Sequence, residues 1–226
     1  MSERLYFRQL LAGRDFARDD QLAQQMVNFV YLVGDRETGD AVAIDPAYGV
    51  AELVEILGAD GMRLSHVLVT HYHPDHVGGS FGPYRVEGIS ELLSLPGVAA
   101  KVHVQSEEAR GMKYVTGCSD SDLALHSSGD VIDVGDVRIT LIHTPGHTPG
   151  SQCFFVDGRL VSGDTLFLDG CGRTDLPGGD PAALYESITQ RLAVVPDDAL
   201  LFPGHLYSPE PFLPMGTVRR RNYVFQ

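Results

Sequence analysis

Thr70-His71-Tyr72-His73-Pro74-Asp75-His76 closes the apolar run 66–70 and places three imidazoles and a carboxylate within six positions. Imidazole nitrogen and carboxylate oxygen are donors for divalent transition metals. The continuous apolar run ahead of them reads as a strand covered on both faces. Its end fixes where the loop begins, and Pro74 narrows the loop's backbone freedom. Four donors so close together are too many for one ion that keeps an open position and takes further ligands. They suit two adjacent ions, with His71 and His73 on one and the Asp75-His76 pair on the other.

Three later segments repeat the design. His147 lies in Thr144-Pro145-Gly146-His147-Thr148-Pro149-Gly150 after an expected strand at 137–142. Asp164 lies in Ser162-Gly163-Asp164-Thr165 after 159–161, and His205 in Pro203-Gly204-His205 after 199–202. Each donor stands just past a β run and beside glycine, where backbone approaches a ligand closely. Five of the nine histidines therefore fall in strand-end loops of one design. The other four, His66, His103, His126 and His143, lack partner donors in the sequence and read as packing or surface residues.

Around these loops the chain reads as two similar halves. Strands are expected at 6–11, 28–33 and 41–44, followed by a helix over 50–57 whose apolar residues Val50, Leu53, Val54 and Leu57 keep helical spacing. A short helix is expected at 89–95, a strand at 101–104, a helix from about Ser106, and a polar surface connection at 116–128. In the second half, Gly135-Asp136 and Asp157-Gly158 mark hairpin turns between strands 131–134 and 137–142, and between 152–156 and 159–161. Asp180 as N-cap and Pro181 in the first turn open a helix to about Leu192. Hairpins followed by a helix, twice over, predict a four-layer αββα sandwich, an α/β fold formed by residues 1–226 as a single domain.

The 226 residues suffice for a core, since a chain of this mass removes roughly 70% of its unfolded surface from water. Seventeen basic against thirty acidic residues give a formal charge of −13, which opposes a polyphosphate partner because nucleic-acid affinity rests on Lys and Arg. No apolar run approaches the roughly 20 residues of a membrane helix. The N-terminus lacks the apolar stretch of a signal peptide, and three cysteines without CxxC spacing argue against a disulfide framework. A cytoplasmic protein is expected, without nucleic-acid or membrane partners; a homodimer is left open.

The ligand motifs, in this order along nearly the whole chain, resemble the metallo-β-lactamase-fold superfamily. The resemblance implies His71, His73 and His147 on a first metal, Asp75, His76 and His205 on a second, and Asp164 bridging them. Asp45, in Ile44-Asp45-Pro46, looks like the family's outer aspartate that holds the ligand loop. The donor set and Gly170-Cys171-Gly172-Arg173 resemble glyoxalase II, a thioester hydrolase, while the continuation Thr174-Asp175 resembles persulfide dioxygenases.

The first resemblance implies two divalent ions, zinc first with iron or manganese as alternatives, and hydrolysis of an acyl-thiol by a metal-bridging hydroxide that Asp75 and Asp164 orient. The second implies a single Fe(II) on His71, His147 and Asp164, oxidising a thiol persulfide with O₂. Cys171 and Arg173 are candidate substrate-binding residues in either case. Residues 81–95, with Tyr84 and Arg85, and 116–128 are expected to border the cleft. Only 21 residues follow His205, so glyoxalase II's helical substrate-binding region is not expected, and Arg219-Arg220-Arg221 reads as a solvated charge run.

Overall fold

The alternating residues at the start become β1, Leu5–Leu11, in the computed structural model, which describes residues 3–226. β1 pairs antiparallel with β2, Phe29–Asp35, and β2 with β3, Asp40–Ile44. Between β1 and β2, Asp20 accepts hydrogen bonds from the backbone N–H of Leu22 and Ala23, the N-cap geometry that starts α1, Gln21–Met26. α2, Val50–Ala59, buries the apolar face read from its spacing, with Val50, Leu53 and Leu57 inside. β4, Arg63–Leu68, lies parallel to β3.

A helical turn, α3 (Pro74–Val77), a small hairpin of β5 (Gly79–Phe81) and β6 (Tyr84–Val86), and α4 (Ile89–Ser94) then lead to β7, Lys101–Gln105. A 3₁₀ turn, Ser106–Glu108, runs into α5, Ala109–Thr116, and β8, Leu123–His126, closes the first sheet in the order β1-β2-β3-β4-β7-β8.

The second sheet follows in sequence: β9 (Val131–Val134), β10 (Val137–His143), β11 (Gln152–Val156) and β12 (Arg159–Gly163) are consecutive antiparallel neighbours. After α6, Pro181–Thr189, β13 (Leu200–Pro203) lies parallel to β12, and β14 (Leu213–Pro214) forms the edge before α7, Met215–Arg221. Tyr31, Val33, Ile44 and Leu68 of the first sheet meet Ile139, Leu141, Phe154 and Phe202 of the second in the central core. On the outer faces, Val30 and Leu32 pack with Leu53 and Leu57 of α2, and Leu160 and Leu201 pack with Leu184 and Ile188 of α6. This is the expected αββα order of layers. It explains why β2 is buried along its whole length: its two faces belong to different cores.

Parallel pairing places the loops. Because β3 and β4 run the same way, Ile44 stands beside Leu68, so Asp45 and the Thr70–His76 segment leave the sheet together. Because β12 and β13 do likewise, Gly163 stands beside Pro203, so Asp164 and His205 emerge as neighbours.

Several expectations change. Residues 116–128 are not only a connection, because 123–126 add an edge strand to β7. The second donor pair lies on a helical turn rather than an open loop, with Pro74 supplying a preset φ at its first position. Two of the three arginines near the C-terminus, Arg219 and Arg221, brace the fold, while Arg220 stays exposed as expected. Arg219 pairs with Asp197 and donates to the carbonyls of Leu192 and Val195, and Arg221 pairs with Asp169 and Glu210. No described helix is long and apolar enough to cross a membrane.

Three of the histidines that lacked partners in the sequence find one another across β4, β7 and β8. His66 Nδ1 lies 3.0 Å from His103 Nε2, His103 Nδ1 lies 2.8 Å from His126 Nε2, and His126 Nδ1 lies 3.2 Å from Asp130. Burial, then His66, His126 and Lys101, push His103 down to about 3. An unfolded chain takes up this proton near pH 6.5, whereas the fold resists it. The contribution is therefore whole above pH 6.5 and declines as pH falls toward 3, by at most about 1.4 kcal/mol per pH unit. Denaturant titrations at pH 7 and pH 5 are expected to show a smaller loss of stability in His103→Gln than in the parent protein. Equal losses would place the acid sensitivity elsewhere.

Candidate metal centre

His71, His73 and His147 form one donor group. Their rings stand 4.7 Å apart, centroid to centroid, in all three pairings and nearly edge to face, and His73 Nδ1 is 3.0 Å from His147 Nε2. Asp75, His76 and His205 form the second. His76 Nε2 is 3.2 Å from His205 Nε2, and each is 3.5 Å from Asp75 Oδ2. Asp164 stands between the groups: Oδ1 lies 3.4 Å from both His76 Nε2 and His205 Nε2, while Oδ2 lies 3.7 Å from His147 Nε2. Glycine makes this placement feasible. A Cβ on Gly204 would fall 2.4 Å from Asp164 Oδ1, and one on Gly172 would fall 3.0 Å from His147 Nδ1.

The far nitrogens are fixed from outside. His71 Nδ1 meets the Thr70 hydroxyl at 3.0 Å, His76 Nδ1 meets Asp45 Oδ2 at 3.0 Å, His147 Nδ1 donates to the Arg173 carbonyl at 2.7 Å, and His205 Nδ1 donates to the Met26 carbonyl at 2.8 Å. Such partners select the tautomer that leaves Nε2 free for an ion. Asp45 is spent on this task. Its carboxylate also accepts from the Thr70 N–H and hydroxyl at 2.7 and 2.5 Å, so it orients the loop instead of facing the ion sites.

These residues fit a cation. His71 Nε2 and Asp164 Oδ1 are buried without a hydrogen-bond partner, a costly condition that a bound ion relieves. Burial and the neighbouring imidazoles hold His71 well below the usual histidine range and bring His73 down to about 4, so both are neutral, as ligands must be. At His76 and His205 burial acts the same way but is outweighed. Asp75 and Asp164 raise His76, and Asp164 raises His205. Asp164 itself is held well below the carboxylate range: burial opposes this, and His205 and His76 prevail. The second group thus carries negative charge enough to hold protons, and it offers the same charge to a metal.

Two residues of the site carry no local sequence signal. Glu108, buried in the 3₁₀ turn, accepts hydrogen bonds from Tyr72 N–H at 2.9 Å, the Thr148 hydroxyl at 2.6 Å and Gly150 N–H at 2.8 Å. It clasps the loop of His71 and His73 to the loop of His147, and burial lifts its carboxyl to about 7 against those hydrogen bonds. Glu108→Ala strands three donors, so a stability loss on the order of 3 kcal/mol is expected, with a loss of about 10- to 100-fold in affinity for the first ion. Thermal denaturation and equilibrium dialysis check this; a variant unchanged in both would show that the loops do not depend on the clasp. Asn28 is the second such residue. Its Nδ2 lies 3.1 Å from Asp75 Oδ2 and its Oδ1 accepts from the Tyr48 hydroxyl at 3.1 Å.

A cleft of about 900 Å³ opens over both groups, walled by Tyr72, Tyr114, Val115, Leu176, Pro177 and Tyr207, with Arg110 and Arg173 as its cations. The wall beside His73 therefore comes from α5 and from residues 176–178 rather than from 81–95 or 116–128. Only Val115, just before the second of those stretches, comes near the expected borders. Arg173 donates to Asp175 at 2.6 and 2.7 Å. Cys171 does not line this cleft; its Sγ faces the Tyr223 hydroxyl at 4.0 Å.

The model of the metallo-beta-lactamase superfamily matches residues 24–205, a span that holds every donor above. The chain belongs to that superfamily. It is a metallo-enzyme of a family that binds divalent metals such as zinc or iron. It is 36% identical over 184 residues to a hydroxyacylglutathione hydrolase of Nitrosococcus oceani, covering 80% of this chain and 62% of that protein. To the mitochondrial persulfide dioxygenase ETHE1 of Homo sapiens it is 33% identical over 185 residues, covering 79% and 64%. The chain thus matches less than two thirds of the length of these two relatives. The crystal structure of ETHE1 from Myxococcus xanthus aligns with a TM-score of 0.77 at 29% identity, covering 96% of this chain and 83% of that one.

Proposed function

We propose that the chain is a two-metal hydrolase of a small acyl-thiol. The observation that carries this reading is Asp164, whose two oxygens face one donor group each. A carboxylate so placed serves a pair of ions better than one. Divalent ions bound there supply an activated water near neutral pH and polarise a carbonyl. Asp75 and Asp164, as hydrogen-bond acceptors, orient the attacking water. The tyrosines and Leu176 of the cleft hold an apolar acyl group, and Arg110 supplies a cation for an acidic group on the thiol carrier. A thioester suits this machinery because its thiolate leaves without a strong acid. The relationship to hydroxyacylglutathione hydrolase supports the same chemistry.

A second reading, a single-iron persulfide dioxygenase using His71, His147 and Asp164, draws support from Arg173-Thr174-Asp175 and from the likeness to ETHE1 over 96% of the chain. Metal analysis of protein purified without added metal separates the two. Near two ions per chain with turnover of acyl-thiols supports the hydrolase; one iron per chain with O₂ uptake on glutathione persulfide overturns it. In the hydrolase His76→Ala and His205→Ala are as damaging as His71→Ala, whereas in the dioxygenase they are mild.

A further inference from the structure

Residues 173–180 form an arch beside the first donor group, pinned at both feet to the loop of His147. The Arg173 carbonyl accepts from His147 Nδ1 at 2.7 Å, and Asp180 N–H donates to the Gly146 carbonyl at 2.8 Å. The crown of the arch, 176–178, receives a single hydrogen bond from outside the arch among the described residues: the Tyr72 hydroxyl donates to the Pro177 carbonyl at 3.1 Å. Tyr72 is itself held on three further sides. Its N–H donates to Glu108 at 2.9 Å, and its ring stands edge to face with that of His73, centroids 5.2 Å apart. The ring also lies against α5 at Gly111, where a Cβ would fall 2.5 Å from Tyr72 Cδ1. Glycine there is what lets the ring approach the helix.

We infer that Tyr72 is a specificity-determining residue that confines the enzyme to short acyl groups. Its ring, Pro149, Leu176 and Pro177 wall the cleft on the side of His73. Apolar surface takes the apolar part of a substrate, so the acyl chain meets this wall and the polar thiol carrier does not. The ring occupies space that a longer chain needs. The hydroxyl does the rest, because the bond to Pro177 keeps the crown of the arch, with Leu176 and Pro177, from giving way. Tyr72 stands between His71 and His73 in the sequence, so the limit is set next to the reacting centre. There each additional methylene that a pocket accepts or refuses is worth roughly 10- to 200-fold in kcat/KM. A tyrosine needed only to fill space beside α5 has no reason to direct its hydroxyl at a carbonyl of the opposite wall.

This inference rests on the hydrolase reading. Its test compares kcat/KM for S-hexanoylglutathione with that for S-acetylglutathione in the metal-loaded parent, Tyr72→Ala and Tyr72→Phe. Tyr72→Ala removes both ring and tie, so the hexanoyl-to-acetyl ratio is expected to rise by about 10-fold or more. Tyr72→Phe keeps the ring and frees only the crown, so a smaller rise is expected. A rise beyond about 2-fold in both variants supports the inference. A residue that merely shaped the metal loop would slow both probes together and leave the ratio where it was. A ratio in either variant that stays within about 2-fold of the parent's, or falls below it, overturns the inference alone, as does a parent that prefers the hexanoyl ester. A parent that turns over neither probe overturns it together with the hydrolase reading. Should Tyr72→Ala fail to fold, by circular dichroism, the ratio in Tyr72→Phe decides.

Discussion

Asp164→Ala is expected to lower acyl-thiol hydrolysis by about 10³-fold, the upper end of what one preorganised charged group supplies in a dry site. Nothing nearby replaces it. Asp75 lies within the second group, and Asp45 is committed to Thr70 and His76. The alanine variant leaves the neighbouring histidines without the carboxylate that spans the groups, so it is also expected to hold fewer than two ions. Asp164→Asn is the informative partner. Its carboxamide keeps one oxygen and turns an NH₂ toward the other group, so it is expected to retain one ion and to remain inactive as a hydrolase. Steady-state turnover and metal content on the same samples check both. An alanine variant with two ions and activity within 10-fold of the parent would remove the bridging role.

The donors were legible because each announces itself locally. Thr70–His76, Pro145–Pro149, Gly163-Asp164 and Gly204-His205 all combine a β run, a turn residue and a ligand within a few positions, and the parallel register of β3 with β4 and of β12 with β13 then gathers them. The layer order was legible for the same reason, since hairpin turns and helical spacing are short-range signals. What escaped is long-range. Asn28 reaches Asp75 across 47 positions and His205 across 177, and no feature of Val27-Asn28-Phe29 marks an asparagine that faces a ligand cluster.

Glu108 escaped similarly, because its three partners come from two other loops and its own neighbourhood reads only as an acidic first turn. The histidine chain of β4, β7 and β8 depends on strand order, which a sequence of separate apolar runs does not specify. Two of the C-terminal arginines misled by their clustering: three in a row look solvated until Asp197 is found opposite Arg219, and Asp169 and Glu210 opposite Arg221.

Chelation of the bound ions is expected to lower the melting temperature by about 8–16 °C for each ion removed. An ion that binds only the native chain, at free concentrations near 1,000 times its dissociation constant, stabilises by about 4 kcal/mol. In a chain of this size each kcal/mol moves the transition by about 2–4 °C. The destabilised region is small. The cores between and outside the sheets hold without the ions, because Tyr31, Ile44, Leu141, Phe154 and their neighbours are packed on one another rather than on the site. Far-UV circular dichroism is therefore expected to stay unchanged while hydrogen exchange accelerates in residues 70–78, 144–150 and 203–206, where buried donors lose their cation. Asp45 and Glu108 remain as clasps on the first two of these loops, so faster exchange there should stop short of full exposure. A melting temperature unmoved by chelation, on protein verified to be metal-free, would mean that the loops are organised by those clasps alone and that the ions contribute chemistry without stability.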